Sequence, residues 1–286
     1  MPELPEVEVL VRHLRPLLKG KRIHKVQVHR AKVVAPASVR VFARTLQGAE
    51  FSGLARRGKY LVFALCSSGR TREPLSLVGH LGMTGRMYLA PAGAPRPRHA
   101  AVVLCLGGED FIFEDTRYFG RLTLDGRALQ KLGPEPLTAA FSAEGFGQAL
   151  RRSTQAIKLK LLDQSLVAGV GNIYASEALF RAGISPTLSS RRLTARQVER
   201  LWREIRHVLA EAIECGSTVP LNFAGPRGRD SLFYYGRAPE AEDYYEERLQ
   251  VYGRAGQACV ECGTLIKRLV QGARSTYYCP RCQRRS

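Results

Sequence analysis

The sequence predicts a multidomain α+β protein: an N-terminal helix, an antiparallel β-sandwich, a helical domain, and a C-terminal zinc-finger β-hairpin. Three observations point there. Short runs rich in Val, Leu, Phe and Ile alternate with Gly and Arg from about residue 21 to 130, as in an antiparallel sandwich or barrel. From about 142 to 215 the apolar residues return to steps of three and four, the period of helices. Finally, Cys259-x2-Cys262 and Cys279-x2-Cys282 stand sixteen residues apart, the spacing of a four-cysteine zinc site. The expected boundaries are 1–132, 133–249 and 250–286, with the Pro- and Gly-punctuated KLGPEPLTAAF (131–141) as the linker.

Residues 2–19 open the chain as an amphipathic helix, with Leu4, Val7, Leu10, Val11, Leu14, Leu17 and Leu18 on its apolar side. Pro2 suits a first turn, where its missing N–H is not needed. Glu3 and Glu6 suit the positive end of the helix dipole, and Gly20 ends the helix. The expected strands are HKVQVHRAKVV, GAEFSGLARR, KYLVFALC, PLSLVGHLGM, GRMYLA, HAAVVLCL, EDFIFED and GRLTL. The expected helices are SAEGFGQALRRS, AIKLKLLDQSL, NIYASEALFRAG and a long one from a Thr194 cap to about Gly216. Residues 216–250 read as Gly-rich and irregular, then basic and aromatic.

Each CxxC pair can aim two thiolates at one point, so Cys259, Cys262, Cys279 and Cys282 would close a tetrahedron around one structural Zn2+. The stretch between the pairs suits a hairpin turning near Gln271-Gly272. Zinc would then replace a core that so few residues can hardly build. Cys66, Cys105 and Cys215 read as small buried hydrophobes.

Lys plus Arg is 44 and Asp plus Glu is 25 in 286 residues, so the formal net charge is 44 − 25 = +19. Such a charge attracts polyanions, and residues 250–286 carry seven bases against one acid. Nucleic-acid binding is the reading this favours; an arginine-rich soluble protein is the other. The longest stretch without Asp, Glu, Lys or Arg, Gln164 to Ser176, is thirteen residues, too short for a membrane helix of about 20. Acids stand at the start where a signal peptide has bases, so the expected location is cytoplasmic or at the nucleoid.

Taken together, MPELPEVE, GKY (58–60), HLGMTG (80–85), DTRYFG (115–120), VAGVGNIYASEALF (167–180) and RSTYYCPRC resemble the bacterial formamidopyrimidine-DNA glycosylases. Endonuclease VIII-like enzymes are their relatives. The motifs run in order from Pro2 to Cys282, and MPELPE rather than MPEGPE favours the formamidopyrimidine branch. The resemblance implies a helix–two-turn–helix domain between sandwich and zinc finger. It implies excision of oxidised bases from damaged double-stranded DNA, strand cleavage at the abasic site, and monomeric action.

Carried over residue by residue, the resemblance makes Pro2 the nucleophile, once Met1 is removed, and Glu3 the general acid. An α-amino group has a pKa of roughly 8, well below that of lysine, so a useful fraction is free to attack. Glu6 lies one turn on and implies a lesion-site carboxylate. Lys59 implies a phosphate contact and proton donor in β-elimination, its pKa depressed by Arg56 and Arg57. Arg274 implies phosphate binding and δ-elimination; a guanidinium suits a phosphate clamp better than a proton donor. Met83, Arg117 and Phe119 would fill the void left by an extruded base. Asn172 at a helix N-terminus would grip phosphate; a plain N-cap is its other reading. His99, Arg117 and Arg152 imply further DNA contacts.

The sequence departs from the family after Gly216. The family's STLRDF-like loop, which helps cap the extruded base, is replaced by STVPLNFAGPRGRDSLFYYGRAPEAEDYY. Removal of 8-oxoguanine and formamidopyrimidines is therefore expected, with preference for oxidised pyrimidines as one alternative. An inactive DNA-binding zinc protein is the other, and the presence of Pro2, Glu3, Lys59 and Arg274 argues against it.

Overall fold

A computed structural model describes residues 2–68, 73–214 and 249–284. The described chain gathers into two compact units. Pro2 and Glu6–Gln130 belong to the first; Glu3–Pro5, the described part of 131–219 and the segment from residue 249 belong to the second.

In the first unit, α1 (Leu4–Leu18) buries Val7, Leu10, Val11, Leu14 and Leu18. It starts two residues later than its periodicity suggests, with Pro2 ahead of it, and Gly20 stops it at φ +80°. Eight strands follow: β1 (Lys25–Val28), β2 (Glu50–Arg57), β3 (Tyr60–Cys66), β4 (Pro74–His80), β5 (Gly85–Pro91), β6 (Ala100–Cys105), β7 (Glu109–Asp115) and β8 (Arg121–Thr123). They pair as two antiparallel four-stranded sheets, ordered β1-β6-β7-β5 and β2-β3-β4-β8. Alternate residues face inward, as a strand's two-residue period requires. Phe63 of one sheet meets Phe111 of the other edge-on, with ring centroids 5.6 Å apart, a favourable aromatic geometry.

Two helices lie inside the stretch read as strands. In HKVQVHRAKVV only Lys25–Val28 is strand, and Ala31–Val34 forms α2. Val39–Leu46 forms α3 because Ser38 caps it, its Oγ accepting from the Val41 N–H at 3.2 Å, while Phe42 and Leu46 share the buried face one turn apart. A short α4 (Arg127–Gln130) closes the unit.

The second unit contains α5 (Ala143–Arg151), α6 (Ile157–Leu161), α7 (Asn172–Arg181), a 3₁₀ turn at Ser190–Arg192 and α8 (Ala195–Glu214). Thr194 caps α8 as expected. Its Oγ1 accepts from the Gln197 N–H at 3.3 Å, and the Gln197 Oε1 accepts from the Thr194 N–H at 2.9 Å, a reciprocal capping box. The expected end near Gly216 and the divergent 217–245 loop lie outside the described residues. Leu4, Ile157, Leu161, Tyr174, Leu179, Leu201, Ile205 and Leu209 share this unit's core.

The last two strands, β9 (Lys267–Gln271) and β10 (Arg274–Tyr278), form the expected hairpin. Gly272 and Ala273 both have positive φ, +54° and +59°, as a two-residue type I′ turn demands. Cys66 and Cys105 are half-buried rather than buried, and Cys215 lies outside the described residues.

Candidate functional site

Glu3 is 2 % exposed, yet its carboxylate has partners. Oε1 accepts from the Ile173 N–H at 2.9 Å and Oε2 from the Tyr174 N–H at 3.4 Å. These amides belong to the first turn of α7, where N–H groups lack helical partners and the dipole is positive. Two glycines permit the approach. Gly169 bonds the Leu4 N–H through its carbonyl at 3.1 Å, and a Cβ on Gly171 would overlap the carboxyl group of Glu3. Gly171, not Asn172, is the N-cap of α7.

Asn172 is the helix's first residue and its side chain is fully engaged. Its Oδ1 accepts from Lys158 Nζ at 2.8 Å; its Nδ2 donates to the Ser275 carbonyl at 2.9 Å and the Tyr252 hydroxyl at 3.4 Å. Lys158 is 1 % exposed and also donates to the Ser275 carbonyl and Thr276 Oγ1. Burial pushes its amine down to about 7; the Glu3 carboxylate opposes this and the Arg274 guanidinium adds to it. Glu3, Asn172 and Arg274 are thus gathered around a buried lysine that the sequence reading left on an ordinary helix. No periodic signal marked it, because Lys158 stands between Ile157 and Leu159 in a segment read only for its apolar steps. Arg152, the C-cap of α5, is exposed, and among the described residues no hydrogen bond or ion pair of its side chain joins it to this group.

Arg274 is exposed at the start of β10, opposite Gln271 and directly after the hairpin turn. Behind the hairpin, the sulfur atoms of Cys259, Cys262, Cys279 and Cys282 all lie within 4.8 Å of one another. The Cys259–Cys282 and Cys262–Cys279 separations are 3.9 and 3.5 Å. A tetrahedron with Zn–S bonds of about 2.3 Å has edges of about 3.8 Å, so the four thiolates fit one structural zinc and leave no position for water.

In the first unit Pro2, Glu6 and Lys59 are buried, Glu6 at 0 % and Lys59 at 6 % exposure. Lys59 sits in the two-residue turn between β2 and β3. Met83 and Phe119 are displayed, 46 % and 55 % exposed. Arg117 joins them, its NH1 3.4 Å from the Met83 sulfur and its guanidinium 5.7 Å from the Phe119 ring centre. The three residues therefore form one surface group. Asp115, fully buried, ties its loops together: its carboxylate accepts from Thr84 Oγ1 (2.6 Å), the Arg117 N–H (3.1 Å) and the Gly120 N–H (2.8 Å). Hydrogen bonds to a charged acceptor contribute about 1.5–3 kcal/mol each. The sequence reading missed Asp115, although an acid closing an otherwise apolar strand inside DTRYFG was a usable sign. His99 Nδ1 lies 3.4 Å from the Tyr118 hydroxyl, in the loop that carries Arg117 and Phe119.

Three family models cover the chain: the formamidopyrimidine-DNA glycosylase N-terminal domain at residues 1–122, the formamidopyrimidine-DNA glycosylase H2TH domain at 132–221, and a zinc finger found in FPG and IleRS at 256–285. The chain belongs to the formamidopyrimidine-DNA glycosylase family. Its relatives of that name include those of Thermus thermophilus, 42 % identical over 290 residues (99 % of this chain, 98 % of the relative), and Carboxydothermus hydrogenoformans, 38 % identical over 284 residues (99 % and 100 %). The Lactococcus lactis enzyme bound to N7-benzyl-Fapy-dG DNA superimposes with a TM-score of 0.86 at 32 % identity, covering 99 % of this chain and 100 % of that one. The same enzyme bound to abasic-site DNA also gives 0.86. The family makes this chain a base-excision DNA glycosylase with a zinc finger. Among the described residues no helix is long and apolar enough to cross a membrane.

Proposed function

We propose that the chain removes oxidised purines, 8-oxoguanine and formamidopyrimidines, from duplex DNA and then cleaves the strand by β,δ-elimination. The observation that carries this reading is the buried Glu3 carboxylate, held by two helix-terminal N–H groups immediately after Pro2. A proton shuttle must be fixed in place next to the nucleophile it serves. The Pro2 amine attacks C1′ of the damaged nucleotide as the N-glycosidic bond breaks, and Glu3 passes protons to the opening sugar and departing base. The resulting iminium acidifies C2′–H. Loss of that proton expels the 3′ phosphate, and a second elimination expels the 5′ phosphate.

Glu6 lies on the lesion side, and Lys59 supplies a phosphate contact and a proton in the first elimination. Arg274 clamps phosphate for the second, and His99, Arg117 and Arg152 hold the strand; Asn172, its side chain taken up by Lys158, Ser275 and Tyr252, serves the grip by bracing the strand that carries Arg274. Met83, Arg117 and Phe119 occupy the gap left by the extruded base; their gathering into one exposed group supports that role, since contiguous exposed apolar surface marks an interaction site where singly exposed apolar residues do not. The three segments 1–132, 133–249 and 250–286 act as catalytic, strand-gripping and phosphate-gripping modules of a monomer working in the cytoplasm at the nucleoid.

A second reading, preference for oxidised pyrimidines, is favoured by one observation: the Lactococcus lactis enzyme, at a TM-score of 0.85, was also crystallised with oxidised-pyrimidine DNA. A panel of single-lesion duplexes separates the two. Wild type is expected to release 8-oxoguanine and formamidopyrimidine and to form a borohydride-trapped adduct on abasic DNA. Pro2→Gly, whose terminal amine is primary, is expected to excise more slowly. Faster release of oxidised pyrimidines selects the second reading, and DNA binding with no adduct overturns both.

A further inference from the structure

An ion pair from helix α1 reaches the turn that carries Lys59. Arg57 pairs with Tyr60, so Gly58 and Lys59 are the two turn residues. Gly58 has φ +56° and Lys59 has no positive φ, the pattern of a hairpin turn with glycine at its first central position. The peptide between them is a rigid plane containing the Gly58 carbonyl and the Lys59 Cα. Holding that carbonyl therefore orients the plane and places the Lys59 Cα from which the side chain departs. Arg56 does so: its NH1 donates to the Gly58 carbonyl at 3.1 Å, while its Nε donates to Glu8 Oε2 at 2.9 Å. The pair is nearly enclosed, with side chains 10 % and 17 % exposed, so solvent screens it less than a surface bridge.

Glu8 itself is steadied by Arg12, whose Nε donates to Oε1 at 2.8 Å. Burial pushes the Glu8 carboxyl up, but its contacts with Arg12 and Arg56 outweigh this and leave it below the usual range. The same helix grips β2 a second time, where Arg15 Nε donates to the Leu54 carbonyl at 2.7 Å. The helix that follows Pro2 thus holds the strand end that presents Lys59.

We infer that Glu8 and Arg56 are positioning residues for Lys59, setting its amine in register with the N-terminal residue carried by the same helix. This rests on the reading of Lys59 as the proton donor in strand cleavage. Arg56 acts through a carbonyl and a turn, and its removal leaves the Pro2 amine untouched. A shift of about 1 Å in a catalytic group can slow a step by roughly a hundredfold.

The test uses the full zinc-loaded chain and DNA with a preformed abasic site. Single-turnover strand cleavage and borohydride trapping are measured for wild type, Arg56→Met, Glu8→Gln, Lys59→Ala and the double variant Arg56→Met/Lys59→Ala, with urea midpoints for each. Arg56→Met is expected to slow cleavage at least about tenfold while trapping stays within about twofold. In the Lys59→Ala background it is expected to add nothing, because the group it positions is gone. Glu8→Gln keeps an acceptor and the shape, so it should fold and show the same selective loss in milder form; it carries the test if Arg56→Met proves unstable. Equal losses of trapping and cleavage, or a full further loss in the double variant, would overturn the inference. Wild type that traps but never cleaves would overturn the strand-cleavage reading instead.

Discussion

Glu3 occupies the space that a side chain at Gly171 would fill, which ties a glycine in the middle of the chain to the second residue of the proposed mechanism. Gly171→Ala must displace the carboxylate or open the first turn of α7. The expected outcome is a loss of base excision of at least about a hundredfold with a urea midpoint lowered only modestly, measured by single-turnover base release; unchanged excision would show that Glu3 does not work from this seat. The identity of Glu3 was legible in MPELPE, but the partner that fixes it was not, because Gly171 is far away in sequence and a glycine carries no chemistry of its own. Lys158 was hidden for a related reason: a lysine in a short apolar segment looks solvent-facing until Asn172, Ser275 and Thr276 converge on it. His80 makes a further residue-scale claim. Its ring lies 4.7 Å from that of Tyr60, and its Nδ1 accepts from the Gly82 N–H at 3.1 Å. Burial, with Lys59 and Arg121 adding to it, pushes its pKa down to about 4. An unfolded histidine titrates near 6.5, so between about 6.5 and 4 the unfolded chain binds the proton that the fold refuses. Stability is therefore complete above about pH 6.5 and falls by up to roughly 3 kcal/mol as the pH drops toward 4. Urea unfolding at pH 7 and 4.5 is expected to show this loss in wild type and a smaller one in His80→Asn.

The strands of the sandwich could be read because their short apolar runs, punctuated by Gly and Arg, are a local signal, and so could the long helix with its Thr194 cap. Helix α3 could not, because its eight residues, Val39–Leu46, carry only two fully buried apolar positions and sit among genuine strands. The hairpin was readable from its cysteines, yet its stability is not its own. Phe180, Val251, Cys259, Ile266 and Cys279 form its small core, and two of those five are zinc ligands. Removing the metal unties the four cysteines and leaves a core too small to hold β9 against β10. The consequence reaches Arg274 and the Ser275 and Thr276 acceptors of Lys158, all on β10. Treatment with a strong chelator is expected to abolish excision and lower DNA affinity while most of the far-ultraviolet dichroism persists, since neither large core contains a zinc ligand. Zinc added back should restore activity. Full activity in protein shown by elemental analysis to be metal-free would contradict this dependence.

The charge of +19 belongs to the molecule as a whole, and its effect is separable from that of the lesion. Lysines and arginines on phosphates release condensed counterions, so affinity falls with salt in proportion to the number of phosphates held. If about five phosphates are neutralised, the slope of log affinity against log salt is about −4.5, a loss of roughly 500-fold between 50 and 200 mM. Phosphate contacts carry no information about the base. Lesion-containing and undamaged duplexes should therefore give nearly parallel salt lines, offset by the free energy of holding the extruded base and filling its gap. Met83→Ala and Phe119→Ala remove surface apolar groups without changing charge; they should narrow the offset and leave the slope alone. Arg274→Ala should do the reverse, lowering the slope by about one phosphate's share. Fluorescence anisotropy across a salt series measures both quantities in one experiment, and a flat salt response in wild type would detach the net charge from DNA binding altogether.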